Sequence, residues 1–241
     1  MEDYVVEARG LVRRYGNLVA VDGLDFIVEK GEVYGLIGPN GSGKTTTIKL
    51  VCGLLKPHAG NVRVLGMQVP DPKISPQIGY MPQGVAIYPD LTVHDNVRFF
   101  GEVYGLSKKE IEKREEELLD FAGLTEKRNA LASTLSGGLK HRLSFACTLV
   151  HTPKVLFLDE PTVGVDPELR FSFWEYFYDL RKKGVTTIIT THYMDEARKC
   201  TRVGLIRQGK MVAEDHPKKL MEQTGTDSLE DTFLAFCRGE A

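Results

Sequence analysis

A glycine-rich loop at residues 38–45 constrains the fold of this chain more than any other feature. It reads GPNGSGKT, which fits the pattern G-x-x-x-x-G-K-[ST]. The apolar stretch 32–37 before the loop predicts a buried strand, and a helix is predicted from Thr45. Glycines let consecutive backbone N–H groups converge on a phosphate chain, and the start of the helix adds a positive end. The loop therefore predicts a strand–loop–helix unit that binds phosphate.

Two side chains of the loop have specific chemical roles in this prediction. Lys44 offers a cation to the β- and γ-phosphates of a nucleotide, and the hydroxyl of Thr45 offers a ligand to Mg²⁺. An ordinary glycine-rich turn explains the sequence poorly once a strand and a helix flank it. The nucleotide-binding residues predicted here are Gly38, Pro39, Asn40, Gly41, Ser42, Gly43, Lys44, Thr45 and Thr46.

Two acidic residues, Asp159 and Glu160, follow the apolar run 155–158, which predicts another buried strand. Taken alone, they would most simply mark a strand end that meets solvent. A phosphate loop in the same chain favours a site instead, because ligands bind at the carboxyl ends of strands in an open parallel sheet. Asp159 then suits the Mg²⁺ shell, and Glu160 suits a general base that polarises the attacking water. The local pattern does not by itself assign these two roles.

A third motif, Ser136, Gly137 and Gly138, begins a helix predicted over 137–150. Its hydroxyl and backbone donors would form a second anion site at the positive end of that helix. In isolation a helix cap is the simpler interpretation. Together with the other two motifs, the anion site is favoured.

Strand and helix patterns alternate along the chain, which indicates a mainly parallel sheet covered by helices. Between residues 87 and 151 the pattern is nearly all helical, so we expect a helical subdomain inserted into an α/β core. The formal net charge of −2 provides no positive field for nucleic acid. The four cysteines stand singly, which favours reduced thiols over a disulfide framework or a zinc site. We expect a soluble chain, since neither a signal-peptide layout nor an apolar run of membrane-spanning length is present.

Together the motifs resemble those of the nucleotide-binding domain of ABC transporters, over nearly the whole chain. Residues 38–46 match the Walker A motif, 155–160 the Walker B motif with its following glutamate, and 135–138 the LSGG signature. Four single residues match further family positions: Tyr15 the aromatic that stacks on adenine, Gln83 the Q-loop glutamine, Asp166 the D-loop aspartate and His192 the switch histidine. Each alone is better explained as a strand, loop or capping residue, but their joint order favours function.

The resemblance implies roles for these residues, with ATP and Mg²⁺ as the cofactors. Catalysis is assigned to Glu160, His192, Lys44 and Gln83. Nucleotide contact is assigned to the Walker A loop together with Tyr15, Ser136, Gly137, Gly138 and Asp166. The metal ligands are Thr45, Gln83 and Asp159.

It also implies an α/β fold with a P-loop NTPase core of the RecA-like type. This core has a mainly parallel sheet, an N-terminal antiparallel β subdomain and the inserted helical subdomain. The predicted divisions are 1–86 and 152–223 for the core with its β subdomain, 87–151 for the helical signature subdomain and 224–241 for a C-terminal helix.

In the family, two such domains pair head to tail, so that each ATP lies between one chain's loop and the other's signature. One copy of each motif therefore implies a second ATP-binding subunit, in a homodimer or a heterodimer. Transmembrane transporter subunits would be the other partners, and nucleic acid would not be one. The chain would then be cytoplasmic, held on the cytoplasmic face of the membrane by its partner.

The sequence departs from the family pattern at Leu139, where the signature commonly has Gln, and at Val165, where the D-loop has leucine. Since the signature contact uses Ser136 and backbone N–H groups, Leu139 removes no proposed phosphate ligand.

Three function classes compete. A transporter motor is favoured over a DNA-repair or chromosome ATPase, which would have long coiled-coil insertions, and over a translation ATPase, which would have two such domains. The segment 83–91 could dock a membrane subunit through Val85, Ile87, Tyr88 and Leu91, with core packing as an equal alternative. The ending SLEDTFL at residues 228–234 resembles that of exporter motors, so export is the expected direction.

Overall fold

The computed structural model describes residues 4–239, and its fold is built on two β-sheets. The strands are β1 (Tyr4–Tyr15), β2 (Leu18–Glu29), β3 (Val33–Ile37), β4 (Ala59–Val64), β5 (Met67–Gln68), β6 (Ile78–Met81), β7 (Val155–Asp159), β8 (Thr186–Thr191), β9 (Arg202–Arg207) and β10 (Lys210–Asp215). The helices are α1 (Lys44–Val51), α2 (Val93–Val103), α3 (Lys108–Phe121), α4 (Gly137–Leu149), α5 (Pro167–Lys182), α6 (Met194–Ala197), α7 (Pro217–Thr224) and α8 (Leu229–Arg238).

The larger sheet has the strand order β10-β9-β3-β8-β7-β6. All neighbours in it are parallel except β10, which pairs antiparallel with β9. Strands β3, β7 and β8 are buried along their whole length, which the apolar runs before the loop and before the two acids predict for β3 and β7. Their carboxyl ends lie side by side, since β8 pairs with both others. The predicted α/β fold with a mainly parallel sheet is confirmed.

The smaller sheet is antiparallel, with the order β2-β1-β4-β5, and it agrees with the antiparallel β subdomain predicted near the N-terminus. The sequence pattern predicts separate strands at 4–8 and 11–15, but these residues form the single strand β1. A register shift between Ala8 and Leu11 interrupts its ladder, with Gly10 at a φ of 57°. The tight turn from Tyr15 to Leu18 joins β1 to β2 and carries Tyr15 to the edge of the larger sheet's site.

The helix α1 lies between the two sheets. Ile48 and Val51 belong to one buried cluster with Val6 of β1 and with Leu36 and Phe157 of the larger sheet. The other face of the larger sheet packs against α4 and α5 in a second core. These two layers hold the amino end of α1 rigidly at the carboxyl end of β3.

Helices α2, α3 and α4 lie between β6 and β7 in the chain, as the helical pattern predicts. The side chain of Thr92 accepts from the N–H of Asp95 and caps α2. Ser107 and Glu110 form the predicted capping box of α3. The exact division at 87–151 stays a prediction. The predicted C-terminal helix corresponds to α8, and residues 240–241 of that segment lie outside the described chain.

Candidate nucleotide-binding site

The glycine-rich loop wraps around the side chain of Lys44. The Lys44 Nζ donates to the carbonyls of Gly38 (2.8 Å) and Pro39 (3.2 Å). Gly43 caps α1 with a φ of 107°, and a Cβ there would collide with the carbonyl of Ala20. Only glycine fits this position, because the backbone is left-handed and the neighbouring strand is too close. The loop therefore has the close backbone approach that a phosphate cradle requires.

Asp159 lies at the carboxyl end of β7, directly beside the start of α1. The hydroxyl of Thr45 donates to Asp159 Oδ1 at 3.0 Å, and the hydroxyl of Thr190 donates to the same oxygen at 2.6 Å. The other oxygen, Oδ2, is buried and has no hydrogen-bond partner within residues 4–239. Asp159 is thus a fixed carboxylate with one unused acceptor.

Three other candidate side chains lie around the carboxylate of Glu160. Its Oε1 lies 3.4 Å from Lys44 Nζ and 3.4 Å from His192 Nδ1. The amide Nε2 of Gln83 donates to its Oε2 at 3.1 Å. Three residues that are distant in sequence therefore surround one carboxylate, which is only 4% exposed.

The backbone of Glu160 is left-handed, with a φ of 52°. Residues other than glycine rarely adopt this region, and holding one there costs on the order of 1–3 kcal/mol. The N–H of Glu160 donates to both the hydroxyl (2.9 Å) and the carbonyl (3.1 Å) of Thr190 on β8, and these bonds stabilise the unusual conformation. The left-handed conformation thus interrupts the extended backbone directly after β7, where the carboxylate lies beside Lys44.

Burial sets the electrostatics of the loop. It lowers the pKa of the Lys44 ammonium, and the negative charges of Glu160 and Asp159 oppose that shift. Lys44 is 4% exposed, so its charge is poorly screened by water. Lys44 therefore offers a poorly screened cation to a phosphate, while the neighbouring carboxylates of Asp159 and Glu160 oppose an anion and favour a cation that enters with it.

An open cleft of about 360 Å³ runs from the β1–β2 turn to Glu160. Tyr15 stands at its outer end with 45% of its surface exposed, and the guanidinium of Arg13 lies over its ring, 5.1 Å from the ring centre. The lining residues are Tyr15, Leu18, Ala20, Asn40, Gly41, Gly43, Lys44, Thr45, Thr46, Gln83 and Glu160.

The residues present fit a magnesium ion that binds together with phosphate. The described part of the chain holds no cluster of three His, Cys, Asp or Glu side chains that could bind a metal unaided. Mg²⁺ usually takes one or two carboxylates and completes its shell with phosphate oxygens and water. The unused Oδ2 of Asp159 and the nearby hydroxyl of Thr45 suit that arrangement. Gln83, the third predicted ligand, turns its amide nitrogen to Glu160.

Ser136, Gly137, Gly138 and Asp166 are not among the residues that line this cleft. The hydroxyl of Ser136 accepts from the N–H of Leu139 (3.4 Å) at the exposed start of α4. The carboxylate of Asp166 accepts from the N–H of Leu169 (2.9 Å) and caps α5. Both residues therefore cap helices in this chain, and their contact with nucleotide stays a prediction.

One site residue was missed from sequence. Thr190 joins Asp159 to the backbone of Glu160, as described above. Its signal was the register of parallel strands, in which Thr190 of β8 lies opposite Asp159 of β7. The motifs do not show which strands are neighbours in the sheet. The contact between Thr190 and Asp159 therefore could not be predicted from them.

Comparison with known protein families shows which family the chain belongs to. The profile of the family described as ABC transporter matches residues 21–163. The chain belongs to the ABC transporter family. The match covers the glycine-rich loop, the signature and the two acids of this ATP-binding domain.

Two similar relatives are named as ABC transporter proteins or as export proteins. The chain is 43% identical over 232 residues to the "Probable multidrug ABC transporter ATP-binding protein YbhF" of Escherichia coli, covering 95% of this chain and 40% of that protein. It is 42% identical over 229 residues to "Nod factor export ATP-binding protein I" of Burkholderia lata, covering 93% of this chain and 75% of that protein. These relatives support the transport class and give no support to the DNA-repair or translation alternative.

Solved structures of ABC cassettes share the fold. An ATP-binding subunit of an ABC transporter superposes with a TM-score of 0.89 at 27% identity, over 97% of this chain and 99% of that one. The cassette MJ0796, in a dimeric post-hydrolysis state with ADP and Pi, gives a TM-score of 0.80 at 26% identity, over 88% and 98%. Among residues 4–239 of our ABC chain, no helix has both the length and the apolar character to cross a membrane.

Proposed function

We propose that this chain hydrolyses ATP to drive export across a membrane, as the motor subunit of an ABC transporter. The observation that carries the proposal is the convergence of Lys44, Gln83 and His192 on the buried carboxylate of Glu160. A general base needs a fixed position and partners that can also face a phosphate.

Each side chain has a separate task in the proposed reaction. Glu160 orients the attacking water and accepts its proton, while Gln83 and His192 hold the carboxylate and the γ-phosphoryl in line. Lys44 exchanges the carbonyls of Gly38 and Pro39 for phosphate oxygens, which neutralises charge that develops in the transition state. Tyr15 stacks on the adenine.

Asp159 and Thr45 would hold Mg²⁺, with the amide oxygen of Gln83 as the third predicted ligand. A magnesium ion held there would supply positive charge against the negative charge of the phosphates. The unpartnered Oδ2 of Asp159 supports this assignment.

The position of the signature supports an active unit of two chains. Ser136 and Gly137 are exposed and lie outside the cleft that contains the loop. In the proposed head-to-tail dimer they complete the partner's site, since the start of α4 presents free N–H groups to an anion. Asp166 would lie at the same interface. The partner is a second copy or a similar subunit.

An exposed apolar surface supports docking to a membrane subunit. Val85, Tyr88, Phe99 and Val103 are between 36% and 63% exposed, and the rings of Tyr88 and Phe99 meet edge to face at 4.7 Å. We refer to these four residues as the aromatic surface. Ile87 instead packs against the core. The predicted patch 83–91 is therefore partly exposed, as docking requires, and partly packed against the core. The aromatic surface suits an amphipathic segment at the cytoplasmic end of a membrane subunit.

The direction of transport rests on similarity. The relatives named above are a multidrug transporter protein and an export protein, and residues 228–234 resemble the ending of exporter motors. No residue of the cleft bears on the cargo.

The proposal is tested by measuring phosphate release from ATP in the presence of magnesium. The wild-type chain is compared with Asp159→Asn and with Glu160→Gln. Loss of a general base typically lowers the rate by 10²–10⁴, so Glu160→Gln should lose at least a hundredfold while ATP still binds. Asp159→Asn should require much more magnesium for half-maximal turnover. Turnover by Glu160→Gln at the wild-type rate would refute the assigned base.

The aromatic surface has its own test. Tyr88→Ser with Phe99→Ser should release the chain from membranes that contain its transport partner, while phosphate release by the isolated chain is unchanged. A double variant that stays on the membrane would refute this docking surface.

A further inference from the structure

A buried glutamate, Glu196, lies just beyond the candidate site. It is on α6, four residues after His192, and has no exposed surface. Neither of its carboxylate oxygens has a hydrogen-bond partner within residues 4–239. Its neighbouring cation is Arg170 on α5, whose Nε lies 3.8 Å from the Glu196 Oε1.

Stability alone does not explain this ion pair. A buried carboxylate without hydrogen bonds is unfavourable, and an apolar pair of similar volume is often as stable or more stable. The Nε of Arg170 is also buried without a hydrogen bond. The arginine therefore holds the glutamate by charge at ion-pair distance.

Arg170 connects the two loops that flank the site. Its N–H donates to the carbonyl of Asp166 in the first turn of α5 (2.9 Å). Its guanidinium lies 5.0 Å from the ring centre of Tyr193, and that ring lies 4.3 Å from the ring of His192. His192 in turn contacts Glu160.

We propose that Arg170 and Glu196 are positioning residues for ATP hydrolysis. Buried Glu196 fixes the guanidinium of Arg170, with the exposed Asp195 at 4.0 Å as a second partner. The guanidinium fixes the ring of Tyr193, and this ring holds the imidazole of His192 toward Glu160. Arg170 thus links the first turn of α5 to the segment that carries His192. The inference rests on the proposed role of His192.

The experiment compares Arg170→Met with the double variant Arg170→Met/Glu196→Met. The single variant leaves a buried charge unpaired and should melt at a lower temperature, and the double variant should recover. We expect both to lose at least tenfold in kcat, with KM for ATP within twofold of the wild type. If the double variant recovered both wild-type stability and wild-type kcat, Arg170 and Glu196 would have a structural role only. That result would overturn the inference.

A second cycle tests whether Arg170 acts through His192. The pair Arg170→Met/His192→Ala should turn over as slowly as His192→Ala alone, because residues that act in series are not additive. Multiplied losses in the pair would overturn the positioning role. Wild-type turnover by His192→Ala would refute the role of His192 in the proposed function. This result differs from the two outcomes that would overturn the inference, which are recovered kcat in the Arg170/Glu196 variant and multiplied losses in the Arg170/His192 variant. Arg198→Met, which removes an exposed arginine bound to the carbonyl of Asp227, is the matched control and should keep kcat within twofold.

Discussion

Lys44 and Ser136 both stand at helix starts, yet they belong to different surfaces of the chain. Lys44 is buried under the loop before α1 and lines the cleft, whereas Ser136 is exposed at the start of α4. Deleting each side chain should therefore affect different steps of the reaction.

Lys44→Ala removes the cation that faces the nucleotide phosphates, so it should weaken ATP binding to the isolated chain at least tenfold. Ser136→Ala should leave that affinity within about twofold and reduce turnover, since in the proposed dimer its hydroxyl serves the partner's nucleotide. Fluorescent ATP titration and phosphate release measure the two effects. An equal loss of affinity in both variants would place the two motifs in one site within a chain.

Leu139 provides a second test at the scale of single residues. It packs against the hydrophobic core from the first turn of α4, and its N–H reaches Ser136. Its side chain therefore offers nothing to a phosphate. Leu139→Gln should change turnover at saturating ATP by less than about tenfold, or about 1.4 kcal/mol of barrier. A gain of a hundredfold would show that the native signature is impaired.

Most residues of the cleft could be predicted because they stand in contiguous motifs or in a fixed order along the chain. Gln83 and His192 have weak local signals, and it was their order that indicated function. The Arg170–Glu196 pair could not be predicted, because an arginine and a glutamate on two helices reveal their contact only through packing.

At the scale of elements, short local signals determine the helix bounds of the helical region. Ser107 accepts from the N–H of Glu110, while Glu110 Oε2 accepts from the N–H of Ser107 at 2.8 Å. These bonds satisfy donors that α3 cannot satisfy internally. The predicted start at Lys108 is therefore correct.

Ser107→Ala should lower the free energy of unfolding by about 1 kcal/mol, since the cap is lost and Glu110 loses its partner. The control is Lys109→Ala, an exposed position on the same helix, which should change it by less than about 0.5 kcal/mol. Urea unfolding followed by circular dichroism measures both. Equal effects in the two variants would show that the capping box contributes nothing to stability.

The strand bounds were harder to predict than those of the helices. The strand signal at residues 78–81 predicts β6 with its exact bounds. No such signal marks β10, because its half-buried side chains show no alternation between buried and exposed. Its real signal is the turn before it, where Gln208 and Gly209 both have positive φ and join β9 to β10. Register between such strands depends on turn geometry more than on hydrophobic pattern.

At the scale of the whole molecule, the chain contains one loop and one signature that do not meet. If ATP joins two chains, then slow hydrolysis should trap the pair. Glu160→Gln keeps the size of the side chain and removes its charge, so it suits this test.

We expect Glu160→Gln to form a dimer with ATP and magnesium and to stay monomeric without ATP, as measured by light scattering after gel filtration. Adding Ser136→Asp should keep it monomeric with ATP, because aspartate also caps α4 but repels the partner's phosphates. Dimers of the doubly substituted chain would argue against a head-to-tail interface.

The left-handed backbone at Glu160 sets stability against activity in this protein. Asparagine tolerates a φ of 52° far better than glutamine or glutamate, so Glu160→Asn should melt at a higher temperature in calorimetry than Glu160→Gln, which also leaves Lys44 without this carboxylate and also lacks the proposed base. A lower melting temperature would contradict this relation. Selection for heat resistance alone would then favour residues that tolerate this backbone over the proposed base, and a library of variants enriched by heat challenge would lose its active members first.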